Sequence, residues 1–344
     1  MQLAELYQPH AFRLIDAPAT PAPSPGEIQV RVSAVGICGS DVHNFSEGGI
    51  GDSPCVYPMV LGHEPAGVVV KVGDGVTGWS AGDAAILEPA MYCYHCEYCL
   101  TGHHNVCANI RFLSTGSEPG FFRELVNLPA GNLLPLPANL TAAEGTIVEP
   151  LAVILHSVNL AAIRTGETAV VFGAGPIGLL TIATLKLSGV TRLWAVEPVA
   201  SRRELARSLG ADDVIDPGQT DAVREILAAT GQRGVDVSFD CATKNGTMNQ
   251  CLYVTRNAGR VVITGIPTES FISLDANPMR RKELPVITVR RSNHDSEMAL
   301  RLLAAEPRRF VPILTHTKPL SAIQSAFEQA EAYGDGAAKI VLTP

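Results

Sequence analysis

The sequence is short of positive charge and of charge altogether. Lys and Arg number 26 against 34 Asp and Glu, the formal net charge is −8, and charged residues make up only 17% of the 344 positions. No basic tract is present, so the chain lacks the feature that attracts nucleic acid or anionic membranes, and we expect neither partner. Hydrophobic residues at 46% indicate a folded globular protein rather than a disordered one.

Long apolar runs are equally scarce. The uncharged segment 168–185 has nearly the length of a membrane span, but the glycines and the proline in its first half would break a spanning helix. We interpret it as a strand, a turn and a helix. The first residues, MQLAELYQPHAF, include an early glutamate and no apolar stretch typical of an export signal. These features predict a cytoplasmic protein without a membrane segment.

Cysteine occurs eight times, which does not suit the disulfide scaffold of a small secreted protein. Four cysteines follow a C-x2-C-x2-C-x7-C spacing, and four thiolates close a tetrahedral shell around zinc that leaves no position for a substrate. A ferredoxin-like iron–sulfur site is the alternative, although the C-P ending and the second cysteine group of that pattern are missing. The predicted structural zinc ligands are Cys93, Cys96, Cys99 and Cys107.

A second group of metal-binding residue types lies in VGICGSDVH at 35–43 and VLGHEPAGVVVKVG at 60–73. Cys38, His63 and Glu64 offer a thiolate, an imidazole and a carboxylate. Three protein ligands with one open position are typical of a catalytic zinc site. Ser40 and His43 add a hydroxyl and an imidazole, which can pass a proton from an alcohol at the metal to solvent. Each residue alone could be core packing, but their occurrence together favours catalysis.

A third candidate is Glu149, a carboxylate in the apolar run IVEPLAVILHSV. A buried carboxylate is costly unless it is paired or coordinates a metal. Glu149 is therefore predicted to be a fourth ligand of the catalytic zinc or to hold the zinc-bound water. Whether Glu64 or Glu149 binds the metal stays open.

From residue 168 onward, apolar strands alternate with helical segments. The first strand leads into a G-x-G-x-x-G turn and a helix, and such glycines let the backbone approach a pyrophosphate at the helix N-terminus. Glu197 ends the next strand, where a carboxylate accepts the ribose hydroxyls and repels a 2′-phosphate, so NAD is favoured over NADP. Arg202 and Arg203 could accommodate that phosphate, but Arg202 is expected to lie against the adenine. The predicted cofactor residues are Gly173, Gly175, Pro176, Ile177, Gly178, Glu197 and Arg202, with Gly265 and Ile266 bordering the nicotinamide.

The strand pattern also predicts two domains. Strands at 235–242, 259–267 and 284–291, separated by helical segments, favour a parallel, doubly wound α/β sheet. The stretch 28–32 and the Gly- and Pro-rich region 45–90 favour irregular antiparallel β structure. The change in composition near residue 150 marks the boundary.

Together these residues resemble the zinc-containing medium-chain alcohol and polyol dehydrogenases. GHEPAGVVVKVGDGV at 62–76 is similar to the zinc signature of that family and GAGPIG to its cofactor turn, and the resemblance covers essentially the whole chain. It implies a GroES-like β-rich catalytic domain at 1–150, a Rossmann NAD-binding domain at 151–290 and a return to the catalytic domain at 291–344. It also implies two zinc ions per chain, one catalytic and one structural, and a homo-oligomer, either a tetramer or a dimer.

Within that family, the EPL around Glu149 and VRRSN at 289–293 are most similar to sorbitol (L-iditol) dehydrogenases. Arg290 falls where those enzymes have a substrate-side arginine, whereas Arg291 stands where a tyrosine would be expected. The resemblance implies NAD-dependent oxidation of a polyol such as sorbitol to the ketone. The alternative substrates are L-threonine, 2,3-butanediol or a sugar-alcohol phosphate, the last favoured by Arg291. A non-catalytic zinc- and nucleotide-binding protein is the other alternative, but it would need neither an open metal position nor a proton relay.

Overall fold

The chain folds into two compact units in a computed structural model, which describes residues 1–267 and 269–344. The bounds are Met1–Glu149, Ser296–Pro307 and Leu314–Pro344 for the first unit, and Pro150–Asp295 and Arg308–Ile313 for the second. The first unit is thus discontinuous, because most of the second unit is inserted into it along the chain.

The strands alternate with helices in the second unit and follow one another more closely in the first. In chain order they are β1 Gln2–Gln8, β2 Ala11–Asp16, β3 Glu27–Gly36, β4 Gly49–Ile50, β5 Ser53–Pro54, β6 Glu64–Val72, β7 Ala84–Leu87, β8 Ala90–Met91, β9 Arg111–Phe112, β10 Leu125–Pro129, β11 Leu133–Pro135, β12 Thr168–Phe172, β13 Arg192–Val196, β14 Asp213–Ile215, β15 Val235–Asp240, β16 Thr255–Ile263, β17 Val286–Thr288, β18 Leu314–Pro319 and β19 Lys339–Thr343.

The helices are mostly short. In chain order they are α1 Gly39–Ser46, α2 Glu97–Leu100, α3 Ala142–Gly145, α4 Val148–Ala161, α5 Pro176–Leu187, α6 Ala200–Ser208, α7 Ala222–Ala229, α8 Asn245–Val254, α9 Ala276–Arg281, α10 Ser296–Ala305, α11 Pro307–Phe310 and α12 Ile323–Glu331. Single 3₁₀ turns lie at His104–Val106, Ala130–Asn132, Val311–Ile313, Leu320–Ala322 and Gly334–Gly336.

Strand β3 lies inside the main sheet of the first unit. The hydrogen-bonded order is β11-β7-β6-β3-β19-β18, and β10 also pairs with β3. All three partners of β3 run antiparallel to it. The sequence of β3, EIQVRVSAVG, is rich in β-branched residues and mostly buried, as suits a strand with neighbours on both edges. The expected β-rich antiparallel unit is confirmed.

Four phenylalanines hold α1 and α12 against each other in the first unit. The ring of Phe327 lies 4.6 Å from that of Phe12, 5.3 Å from Phe45 and 5.8 Å from Phe122, measured between centroids. Aromatic pairs at such distances contribute about 0.5–1.5 kcal/mol each beyond the area they bury. Because Phe45 belongs to α1, this cluster fixes the helix that carries Ser40 and His43.

The second unit contains a parallel sheet in the order β14-β13-β12-β15-β16-β17. Numbered within the unit, this is the order 3-2-1-4-5-6 of a doubly wound Rossmann sheet, so the predicted fold class is confirmed. The strand order reverses between β12 and β15, and ligands of such sheets bind beyond the carboxyl ends of the strands at that point.

The uncharged segment 168–185 forms β12, a glycine turn and most of α5, as expected. Among the described residues, no helix combines the length and the apolar character needed to cross a bilayer.

Asp236 joins strands and loops at the amino end of the parallel sheet. Its Oδ2 accepts from the backbone N–H and the hydroxyl of Thr168, both at 2.9 Å. Its Oδ1 accepts from Arg233 Nη2 and Arg256 Nε, both at 2.6 Å. Although burial alone would raise the pKa of Asp236, these hydrogen bonds lower it below its ordinary value. The ionised carboxylate therefore links β12 to β15 and to the start of β16.

We expect Asp236→Asn to lower the free energy of unfolding by about 2–3 kcal/mol, because the amide gives up charge-assisted hydrogen bonds to two guanidinium groups. Asp213→Asn is the matched control, since the Arg192–Asp213 pair is 46% and 41% exposed and such pairs contribute about 0–1 kcal/mol. Urea unfolding of both variants measures the difference. Equal losses in the two variants would contradict the role given to Asp236.

Candidate active site

A thiol, an imidazole and a carboxylate converge where β3 ends and β6 begins. The antiparallel register pairs Gly36 with Glu64, so Cys38, just past the end of β3, comes close to His63 and Glu64. One ligand atom from each of Cys38, His63 and Glu64 lies within 4.8 Å of the others, and the last two residues are buried. Cys38 is a soft ligand, His63 a borderline one and Glu64 a hard one. Three such ligands at this spacing suit zinc and leave one coordination position for another group.

The imidazole of His63 is oriented by a buried carboxylate. Nδ1 of His63 lies 3.3 Å from Oδ1 of Asp41, which is 1% exposed. Asp41 also accepts from the backbone N–H of Cys38 at 3.2 Å and of Gly62 at 3.3 Å, and from the Ser114 hydroxyl at 3.1 Å. Carboxylates commonly hold the second nitrogen of a metal-binding histidine in this way. Nε2 is then the nitrogen left for a metal.

The electrostatics at His63 match a cation site. Burial alone would lower the pKa of the His63 imidazole, but the Asp41 carboxylate and the Cys38 sulfur raise it well above its ordinary value. A ligand must lose its proton to bind a metal. The Asp41 carboxylate that holds the proton would therefore also stabilise a metal cation in its place.

Glu64 has a cationic partner in Lys339. Lys339 Nζ donates to both carboxylate oxygens of Glu64 at 2.7 Å and to the carbonyl oxygen of Ile37 at 3.0 Å. The two residues are 0% and 1% exposed. The Glu64 carboxylate keeps the pKa of Lys339 above its ordinary value although burial opposes this. A carboxylate oxygen has a second lone pair, so Glu64 can bind a metal and stay hydrogen-bonded to Lys339 at the same time.

Gly36 makes room for that carboxylate. A β-carbon at this position would lie 2.1 Å from Oε2 of Glu64, which no side chain can tolerate. The glycine is therefore required by the close approach of the Glu64 side chain to the backbone of β3.

Glu149 lies near the same centre at the start of α4 but is not one of the three converging residues. Burial raises its pKa to about 7, with smaller effects of His63 and Lys339, which lower it, and of Glu64 and Glu88, which raise it. A carboxylate poised near neutrality exchanges a proton for a cation at little cost. Burial also raises the pKa of Glu88, a further carboxylate that sequence analysis did not identify.

The two predicted relay residues lie on α1. The hydroxyl oxygen of Ser40 is 3.5 Å from Nε2 of His63. His43 lies nearly one turn further along the helix, where its Nδ1 is 3.0 Å from Oε1 of Glu47. Ser40 is thus placed beside the candidate metal ligand, and His43 beside the Glu47 carboxylate.

The four clustered cysteines form a compact thiol group around α2. Their sulfur atoms lie within 4.8 Å of one another, with separations of 3.5 Å between Cys93 and Cys107, 3.9 Å between Cys96 and Cys107 and 4.0 Å between Cys93 and Cys99. Zinc–sulfur bonds of about 2.3 Å at tetrahedral angles would separate the sulfurs by about 3.8 Å. All four are free thiols. The donor set and its size fit a closed zinc site.

Hydrogen bonds prepare part of this group for the thiolate form. The backbone N–H groups of Cys93 and Cys96 donate to the sulfurs of Cys107 and Cys93. The backbone N–H of His95, aided by Asn109, lowers the pKa of Cys93 to about 5, whereas burial and neighbouring thiols raise the pKa of Cys99 to about 12. Thiolates are the metal-binding form of cysteine, so Cys93 is the first of these two to be available to a metal.

In the second unit, the predicted glycine turn joins β12 to α5. Gly173 has φ +87°, Gly175 is the N-cap residue of α5, and Pro176 and Ile177 form its first turn. A β-carbon at Gly178 would lie 1.9 Å from the carbonyl oxygen of Gly173. The turn therefore has the tight backbone that lets a pyrophosphate approach the helix N-terminus.

Glu197 lies directly against this turn, at the carboxyl end of β13. Its Oε2 accepts from the backbone N–H of Ala174 at 2.6 Å, and its Oε1 from that of Val199 at 2.9 Å. Arg202 is also buried, and a β-carbon at Gly175 would lie 3.9 Å from its Nη1. The predicted ribose-binding carboxylate and the predicted adenine-side arginine are therefore both next to the glycine turn.

The other predicted cofactor residues follow β16. The backbone N–H groups of Thr264 and Gly265 donate to the carbonyl oxygen of Asp240, and the Thr243 hydroxyl donates to the carbonyl oxygen of Ile266 at 3.0 Å. These bonds hold the loop at the carboxyl end of the sheet. The predicted substrate residue Arg290 is exposed and follows β17, and the next residue, Arg291, has φ +53°.

Besides Glu88, three residues around the metal candidates were missed by sequence analysis, namely Asp41, Lys339 and Ser114. Asp41 lies inside the quoted motif VGICGSDVH, three residues after Cys38, so its spacing was a usable signal. Lys339 and Ser114 lie far from the other site residues in sequence and in no motif. Only strand pairing and loop packing show that they belong to the site.

Two family models match the chain: "Alcohol dehydrogenase GroES-like domain" over residues 24–138 and "Zinc-binding dehydrogenase" over residues 176–305. A sorbitol dehydrogenase of Arabidopsis thaliana is 34% identical and an L-idonate 5-dehydrogenase of Vitis vinifera 33%, each over 93% of this chain and 89% of the relative.

Solved structures of other dehydrogenases have a similar fold over the full length of this chain. A 2R,3R-butanediol dehydrogenase from Bacillus subtilis matches with a TM-score of 0.89 at 31% identity, covering 100% of this chain and 99% of the other. A zinc-binding dehydrogenase from Sinorhizobium meliloti with bound NADP and an alcohol dehydrogenase from Escherichia coli with NADH match at 28% and 27% identity, with TM-scores of 0.91 and 0.90 and the same coverage.

We expect Lys339→Met to lower the free energy of unfolding by about 3–5 kcal/mol, because it leaves the Glu64 carboxylate buried without its cation. The double variant Glu64→Gln/Lys339→Met should recover much of the loss, since it removes the stranded charge as well. Urea unfolding of metal-free protein measures both, and Lys71→Met, at an exposed position on β6, is the control. A double variant that is no more stable than Lys339→Met would contradict this account.

Proposed function

Because the chain belongs to the zinc-containing medium-chain alcohol and polyol dehydrogenases, we propose that it oxidises a polyol such as sorbitol, or another sugar alcohol, to the ketone with NAD. The chain is an oxidoreductase of that family, and the coupling to NAD and the choice of polyol are the proposed parts. The convergence of Cys38, His63 and Glu64 within 4.8 Å, beside Ser40, is the observation that supports the proposal most directly.

Cys38 and His63 would hold the catalytic zinc, with Glu64 or Glu149 as the carboxylate that completes the site. When bound, zinc lowers the pKa of an alcohol so that it loses its proton near neutral pH, and the nicotinamide ring accepts the hydride. Asp41 fixes the ring of His63, and Lys339 compensates the charge of Glu64. Cys93, Cys96, Cys99 and Cys107 would bind a second, structural zinc.

Ser40 and His43 would move the proton of the alcohol. The Ser40 hydroxyl, 3.5 Å from His63 Nε2, accepts the proton and passes its own towards His43. The His43 side chain is 23% exposed and can release the proton to solvent.

The second unit would bind NAD. The backbone at Gly173, Gly175 and Gly178 would receive the pyrophosphate, and Glu197 would accept from the ribose hydroxyls. Arg202 would lie against the adenine. Gly265 and Ile266 would border the nicotinamide. We assign Arg290 to the substrate side of the reaction.

2,3-Butanediol is a second candidate substrate, favoured by the solved butanediol dehydrogenase at 31% identity and a TM-score of 0.89. Threonine and sugar-alcohol phosphates are the other options, the latter because Arg291 adds a cation beside Arg290. We also propose a cytoplasmic homo-oligomer, a tetramer or a dimer, on the strength of the family resemblance.

The substrate is tested by following NADH formation at 340 nm with NAD and a panel of alcohols. The panel contains sorbitol, xylitol, galactitol, 2,3-butanediol, L-threonine and phosphorylated polyols, each with and without a zinc chelator. We expect the highest kcat/KM with a free polyol and its loss with the chelator. Turnover of butanediol, threonine or a phosphorylated polyol alone would replace the proposed substrate.

We expect His63→Ala to abolish polyol oxidation and to lower the zinc content from two ions per chain to one. The structural cysteine site is left intact, so the remaining ion should be retained. His316→Ala is the control, because the described side-chain partners of His316, Thr315 and Asp335, lie outside both groups of metal candidates. Unchanged zinc content or surviving turnover in His63→Ala would refute the assignment.

A further inference from the structure

Arg203, the second of two arginines in the first turns of α6, has an ion-pair partner in Asp216, which directly follows strand β14. Its Nη1 donates to the carbonyl oxygens of Glu197 at 2.8 Å and Pro198 at 2.6 Å. Its Nη2 lies 2.9 Å from Oδ2 of Asp216, and the two side chains are 19% and 27% exposed. The guanidinium group is therefore held on one side by backbone carbonyls and on the other by a carboxylate.

Asp216 lies beside Glu197 at the carboxyl edge of the parallel sheet. Val196 of β13 pairs with Ile215 of β14, and the backbone N–H of Glu197 donates to the carbonyl oxygen of Ile215 at 3.0 Å. The Oδ1 atom of Asp216 accepts from the backbone N–H of Gly218 at 2.9 Å, which fixes the carboxylate. Nucleotides bind doubly wound sheets at this edge.

Asp216 supplies the carboxylate that pairs with the guanidinium group of Arg203. Without it, that guanidinium would keep its hydrogen bonds to the carbonyl oxygens of Glu197 and Pro198, and its positive charge would have no carboxylate within ion-pair distance among the contacts described for it. A phosphate monoester carries about two negative charges, and arginine binds it with two parallel hydrogen bonds. The arrangement without Asp216 would therefore suit a 2′-phosphate.

We propose that Asp216 determines cofactor specificity: it holds Arg203 away from the ribose and adds a second negative charge, so that NADP is rejected. This inference rests on the proposed use of NAD, and it assigns part of the preference to a residue outside the glycine turn and outside the usual ribose-binding position. Glu197 repels the 2′-phosphate directly. Asp216 acts by keeping the Arg203 guanidinium from attracting it.

Binding of NADPH and NADH to Asp216→Asn tests the proposal, measured as dissociation constants from the fluorescence of the reduced cofactors. We expect NADPH to bind about tenfold more tightly than to the wild type, the gain of one charge-assisted contact, while NADH affinity changes less than about twofold. Asp216→Ser, which removes the carboxylate and most of the side-chain bulk, should show the same gain.

Two controls separate Arg203 from a general change of charge. Asp213→Asn removes a carboxylate from the first residue of β14, the strand that Asp216 follows. Asp213 pairs with Arg192 at 3.0 Å, and this variant should leave both affinities unchanged. Arg203→Met/Asp216→Asn should lose the gain for NADPH. The proposal is overturned if Asp216→Asn and Asp216→Ser bind NADPH no better than the wild type, if Asp213→Asn shows the same gain, or if the gain persists without Arg203.

Failure of this proposal is distinguishable from failure of the proposed function. A wild type that binds NADPH as tightly as NADH would contradict the preference for NAD. A wild type that prefers NADH, with affinities insensitive to Asp216, would contradict only the role of Asp216. The binding measurement needs no substrate, so an error in the choice of polyol affects neither result.

Discussion

The antiparallel register of β3 with β6 and β19 is the constraint on which the candidate metal centre depends. Gly36 is opposite Glu64 on one side and Val341 on the other. That pairing brings Cys38, His63 and Lys339 to one end of the sheet, although they come from three distant segments. A shift of one residue would turn the Glu64 side chain to the opposite face. The backbone pairing thus decides which side chains meet, and the missing β-carbon at Gly36 decides how closely.

Most of the buried charged side chains described above lie beside a side chain of opposite charge. Lys339 neutralises Glu64, Asp41 faces His63, and in the second unit Arg233 and Arg256 hold Asp236. Such pairs are costly to break because the remaining charge cannot reach water. Glu149 is stabilised differently, since burial raises its pKa to about 7 and lets it exist as the neutral acid. A neutral carboxyl group of this kind can lose its proton when a cation binds beside it. A carboxylate that is already paired with lysine is stabilised less by an added cation.

Sequence analysis predicted the residues that act through local spacing. Each of these motifs is contained in fifteen residues or fewer, so its members are close together along the backbone itself. They are the cysteines of the four-thiol group, the His63–Glu64 dipeptide and the glycine turn. The two-unit α/β fold followed from strand periodicity and was confirmed. Lys339, Ser114 and Asp216 could not be found in this way. Their roles arise from sheet register and loop packing, which a single sequence does not display, and an isolated lysine, serine or aspartate is otherwise typical of a surface.

The pairing of Lys339 with Glu64 also bears on how the protein is made. The two residues are 275 positions apart, and the whole second unit is encoded between them. At a synthesis rate of about 5–20 residues per second, the ribosome delivers the lysine about 15–55 seconds after the glutamate. During that interval β3 lacks β19 as a neighbour, and the Glu64 carboxylate must stay hydrated. The first unit cannot close its core on the nascent chain until the second has been synthesised, so its completion is a late event of biosynthesis although most of its residues are translated first.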